Sequence, residues 1–156
     1  MHPSHPPQDR LTAFGNQLIE IHLWLREELA ALRANLGSPG RDLRAHCLTF
    51  CAALTRHHTG EDGGAFRVLA AQAPELRPVL DELTADHEMV ATILRRVEDL
   101  AAGPTDSDGV RAELDGLSAL LESHFVYEEK KLVAALNALR GGTTEELLGV
   151  PLPDET

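Results

Sequence analysis

Aromatic side chains are scarce in this chain: one tryptophan, one tyrosine and four phenylalanines among 156 residues. Alternating β-branched runs are absent too, so no stretch reads as a strand. Leucine and alanine dominate the apolar content, which suits helices. Positive charge is short: 14 lysines and arginines face 25 acidic residues, a formal net charge of −11. That balance argues against nucleic acid or an anionic membrane as partner, since both attract basic surfaces. No apolar run approaches the ~20 residues of a membrane-spanning helix. Residues 1–8 hold three prolines and no hydrophobic region. They read as a disordered tail and not as a secretory signal, so the expected location is cytoplasmic.

Cysteine is limited to Cys47 and Cys51, one helical turn apart. Two thiols on one helix make neither a disulfide framework nor a four-ligand zinc site. They read as reduced core residues. The length fits one domain with a real core. Turn signals divide it into a tail (1–8), a helical bundle (9–140) and a C-terminal tail (141–156).

What the chain does have is a helical seam, repeated four times. Leu43, Cys47, Phe50, Leu54, His57 and Glu61 follow one another in steps of four and three, as on the buried face of a packed helix. Leu18, His22, Leu25, Leu29, Leu32 and Leu36 form a second stripe. Leu76, Leu80, Leu83, His87, Val90, Leu94 and Val97 form a third. Val110, Leu114, Leu117, Leu121, His124 and Glu128 form the fourth, continued by Leu132 or Ala135. The expected fold is therefore all-α: an antiparallel, up-down-up-down four-helix bundle.

Punctuation sets the expected limits. The first helix runs from about Asp9, available as N-cap, to Leu36, before the turn Gly37-Ser38-Pro39-Gly40. The second starts near Arg41; it either continues to about Ala71 or kinks at Gly63-Gly64, because interior glycines cost roughly 1 kcal/mol each relative to alanine. The third spans Glu75 to Ala102 with Pro78 in its first turn. The fourth begins after Ser107 or Asp108 and closes near Arg140 at Gly141-Gly142. The remainder reads as one helical turn and an acidic tail.

Every stripe is interrupted by an ionisable residue, and all six interruptions are histidine or glutamate. Buried ionisable groups are costly unless compensated. His22, His57, Glu61, His87, His124 and Glu128, brought to one level of a bundle, point to a metal. Nitrogen and carboxylate donors together suit iron, and two carboxylates can bridge a pair of ions while offsetting their charge. Spacing favours Glu128 over Glu129: four residues after His124 is about 400° of turn, five is about 500°. Glu129 remains a second candidate if the helix is bulged. His58 lies three residues before Glu61 and can reach the site beside His57.

The segments IHLWLREEL, TRHHTGED, ADHEMV and ESHFVYEEKKL resemble the hemerythrin-like, HHE cation-binding family, over about residues 10–140. The resemblance implies a four-helix bundle around a non-haem di-iron centre with two bridging carboxylates. It associates the chain with O2 binding, redox or iron sensing, and handling of peroxide or nitric oxide. O2-carrying members have HxxxH on the third helix; here the residue four after His87 is Ala91, which cannot ligate. Some family members draw that ligand from the residue after the second-helix histidine, here His58. The implied set is then His22 and His57 on one iron, His58, His87 and His124 on the other, with Glu61 and Glu128 shared. An oxo or hydroxo bridge completes the resting centre. Two other functions stay open: a peroxide-decomposing enzyme, and an interaction or iron-sensing bundle that the metal merely fastens. No catalytic side chain is assigned.

Other polar residues read more plainly. His46 reads as a core or bundle-end residue, too far along the helix to ligate, and His2 and His5 are expected to be exposed. Tyr127 is either packed or beside the site, and Trp24 is core or interface. Arg26 pairs with a surface carboxylate.

Overall fold

The computed structural model describes residues 13–38 and 42–153, and within them every regular element is helical. The chain forms α1 (Phe14–Ala34), α2 (Leu43–Gly63), α3 (Ala65–Gln72), a 3-10 turn (Pro74–Leu76), α4 (Arg77–Ala102), α5 (Asp108–Asn137) and α6 (Thr144–Leu148). The expected tail at 1–8 and the Asp9 cap lie outside the described residues. No helix among them is long and apolar enough to cross a membrane.

Local chemistry accounts for the boundaries. Asp42 caps α2 by accepting from Ala45 N at 3.0 Å, and Ser107 caps α5 by accepting from Val110 N at 3.1 Å. Gly37, at φ 75°, takes the left-handed turn after α1. Of the two alternatives for the second helix, the break occurs. Gly64 adopts φ −116°, ψ −89°, ending α2 before α3 begins at Ala65. Pro78 sits in the first turn of α4. The fourth helix ends at Asn137, three residues short of Arg140.

The four long helices form a bundle, and paired side chains run in opposite order along neighbours. His22, Arg26 and Arg33 of α1 meet Glu129, Glu122 and Asp115 of α5. Glu82 and Arg96 of α4 meet Tyr127 and Glu113 of α5. The expected stripes line the interior: Leu18, Leu54, Leu83 and Leu121 are fully buried. Each such leucine contributes about 1.5–3 kcal/mol. In the fourth stripe Leu132 is the buried continuation, and Phe125 joins it. Cys47 and Cys51 are free and buried, as expected, with Sγ atoms 3.7 Å apart.

Residues 141–153 are more than a tail. Helix α6 is the single turn foreseen, but Leu147 and Leu148 are buried in the main core. A capping box between Thr143 and Glu146 starts the helix, and Gly149 at φ 82° ends it.

Candidate metal centre

One level of the bundle collects seven ionisable side chains. α1 brings His22, α2 brings His57, His58 and Glu61, α4 brings His87, and α5 brings His124 and Glu128. All seven are buried, and His22, His57, Glu61 and Glu128 have no exposed surface. All seven candidates from the sequence thus share one site.

Their donor atoms fall into overlapping groups of three, each with atoms within 4.8 Å of one another. One group is His22, His57 and Glu128; another is His58, His87 and His124. The Nε2 atoms of His22 and His57 are 3.3 Å apart, and those of His58 and His124 are 3.2 Å apart. Two further groups tie the halves together: His57, His58 and Glu61, and Glu61, His87 and Glu128. Glu61 turns Oε2 toward His57 Nε2 at 3.5 Å and Oε1 toward His87 Nε2 at 3.3 Å. Glu128 Oε1 lies 3.1 Å from His22 Nε2.

Acceptors outside the cluster fix three of the five rings. His22 donates from Nδ1 to Glu129 at 2.7 Å, His87 to Asp62 at 2.8 Å, and His57 to the Leu148 carbonyl at 2.8 Å. A ring that donates from Nδ1 leaves the Nε2 lone pair for the interior, which is the tautomer a ligand needs. Asp86, 3.9 Å from His124 Nδ1, is too far for a direct hydrogen bond.

Electrostatics without a cation are unfavourable. Burial, aided by nearby Glu128, pushes the Glu61 carboxyl well above its usual range. Burial acts on Glu128 too, but Glu61 and His22 outweigh it and hold Glu128 well below that range. One proton between the two carboxyls would relieve the pair. Burial, reinforced by His22, brings His57 down to about 3. Burial lowers His58 and His124 as well, whereas Glu128 and Glu129 overcome burial at His22 and raise it.

The residues fit metal ions. Both oxygens of Glu61, both of Glu128, His87 Nε2 and His124 Nδ1 are buried without a hydrogen-bond partner. Buried orphaned acceptors are rare in folded proteins and call for an explanation. Divalent cations in the cluster would supply partners for the four carboxylate oxygens and His87 Nε2 and the missing positive charge, whereas His124 Nδ1 faces Asp86.

Several details refine the sequence reading. Glu129 does not point into the cluster; it accepts from His22 and is itself held by Arg26 at 2.9 Å. Arg26 pairs with the exposed Glu122, as expected, but through Glu129 it also braces the site. Tyr127 donates to Glu82 at 2.5 Å on the outside of the bundle, away from the cluster. Ala91 is exposed, whereas His58 stacks on His87 with ring centroids 3.7 Å apart. His46 is half-buried against Glu28 at 3.0 Å, apart from the cluster. The sequence reading missed Asp62 and the Leu148 carbonyl. Asp62 adjoins Glu61 and was legible as a neighbour; a backbone carbonyl 91 residues from its histidine carries no sequence signal.

A family model, the hemerythrin HHE cation binding domain, matches residues 15–136. The match spans most of the chain and contains all seven clustered residues. The chain belongs to this family of helical cation-binding domains. No curated protein and no solved structure matches it significantly.

Proposed function

We propose that this protein is a di-iron member of the family that binds or senses O2 or another small oxidant, nitric oxide or peroxide. Its architecture is read as an antiparallel, up-down-up-down four-helix bundle over residues 9–140. His22 and His57 serve one iron, His58, His87 and His124 the other, and Glu61 and Glu128 bridge. One observation carries the reading: Glu61 directs one carboxylate oxygen to each histidine group, and neither oxygen has another partner. A pair of irons with an oxo or hydroxo bridge would supply redox chemistry and an open position for a diatomic ligand or peroxide.

The chain's own residues do the rest. Asp62, Glu129 and Leu148 hold the imidazoles as Nε2 ligands. The two glutamates balance charge, and the leucine core around them excludes bulk water. With a net charge of −11 the protein is read as a cytoplasmic protein acting on a small molecule and not on nucleic acid or membrane.

Metal content and optical spectrum of protein expressed with iron, before and after air, test this. Two irons per chain with new near-ultraviolet absorption in air are expected. Zinc alone, or no metal, would overturn the reading. Rapid O2 release from added peroxide would move it to the enzyme alternative.

A further inference from the structure

Helix α6 lies beyond the part of the chain that the family model matches, yet it touches the candidate centre. Its Leu148 carbonyl accepts the Nδ1–H of His57 at 2.8 Å. We propose that α6 is a positioning element of the metal centre, fixing the ring orientation and tautomer of His57 from outside the bundle. The proposal rests on the metal reading of the cluster.

The docking geometry is built for close approach. Gly60 and Gly64 lie one helical turn apart at the end of α2, on either side of Glu61. A Cβ at Gly60 would meet the Gly149 Cα at 2.1 Å, and one at Gly64 would meet the Glu146 carbonyl at 2.0 Å. A Cβ at Gly149 would meet the Arg56 carbonyl at 2.2 Å, at a φ of 82° that itself favours glycine. The glycines that weaken the end of α2 as a helix therefore form the bare surface on which α6 sits backbone to backbone.

Other features hold α6 together and against the bundle. Leu147 and Leu148 are buried in the core, the capping box fixes the first turn, and Thr144 donates to Gln17 of α1. The Leu148 carbonyl is then rigidly presented. Loss of an outer partner of a metal-bound histidine typically costs 10–100-fold in affinity.

The test uses full-length Gly149→Ala and Gly60→Ala, with Gly116→Ala as control, since nothing lies within 4 Å of a Cβ at Gly116. Gly60→Ala favours helix in α2 itself, so a loss there points to displaced α6. Cobalt(II), added to metal-free protein, is the probe, read by its visible ligand-field spectrum and by competition with a chelator. Nitrogen-15 NMR of the metal-free protein reads the His57 Nδ1–H directly. Both test variants are expected to bind cobalt about 10–100-fold more weakly, with shifted bands and a faster-exchanging Nδ1–H. Gly116→Ala is expected to match the parent. Parent-like affinity, spectrum and proton exchange in both test variants would overturn the proposal. A parent that binds no cobalt would overturn the metal reading, and this inference with it.

Discussion

Glu61 and Glu128 face each other inside the bundle, both fully buried, with none of their four carboxylate oxygens hydrogen-bonded. Burial and Glu128 hold the Glu61 carboxyl well above its usual range, so the two cannot both ionise cheaply without a cation, and metal binding must displace a proton. Replacing Glu61 with glutamine keeps the shape and mimics its neutral form without the ability to ionise for a metal. Glu61→Gln is expected to melt at or above the metal-free parent while taking up at most one iron. Calorimetry of the apo protein and metal analysis together check both halves.

Loading the parent should stabilise it strongly. A ligand at about 1,000 times its dissociation constant contributes roughly 4 kcal/mol. For a chain of this size that corresponds to a rise of about 10 °C in melting temperature. A thermal scan with and without iron(II) under anaerobic conditions, reversed by chelator, measures it.

The seam histidines were legible because burial follows a 3.6-residue period, and a charged residue on that period stands out. Glu128 and not Glu129 faces inward for the same reason. The break at Gly63-Gly64 was legible only as one of two alternatives, because two glycines weaken a helix without dictating where it stops. The docking of α6 was not legible. Leu147-Leu148 is too short to show a period, and its partner surface is an absence of side chains at Gly60 and Gly64.

Asp62 and Asp86 make a direct comparison. Asp62 accepts from His87 at 2.8 Å, whereas Asp86 stands 3.9 Å from His124. Asp62→Ala is expected to weaken iron binding about 10–100-fold. Asp86→Ala should change it little. Anaerobic iron(II) titrations against a competing chelator separate the two.

Arg26 and Arg33 lie on one helix, and both meet carboxylates of α5. The Arg33–Asp115 pair is exposed on both sides, so Arg33→Ala should cost under about 1 kcal/mol in urea unfolding. Arg26 holds Glu129, which holds His22, and also covers the Phe125 ring at 5.3 Å. Arg26→Ala should therefore lower iron affinity in the same titration, while Arg33→Ala leaves it unchanged.

Leu54 fills the core one turn before His57 and has no exposed surface. Leu54→Ala is expected to cost about 2–5 kcal/mol through the cavity it leaves. Leu120, 52% exposed on α5, should tolerate alanine within about 0.5 kcal/mol. Denaturant midpoints for the two variants check the contrast.

The bond from His57 to Leu148 spans 91 residues and that from His22 to Glu129 spans 107. Contacts this remote in sequence form late, after loop closure has cost its entropy. During synthesis the helices carrying His22, His57 and His87 emerge well before the acceptor for His57 exists. The cluster residues are all present once Glu128 has been made, but His57 has no acceptor until the chain reaches Leu148. A cation offered to a chain that ends short of Glu128 would meet separate histidines and only one of the two buried carboxylates.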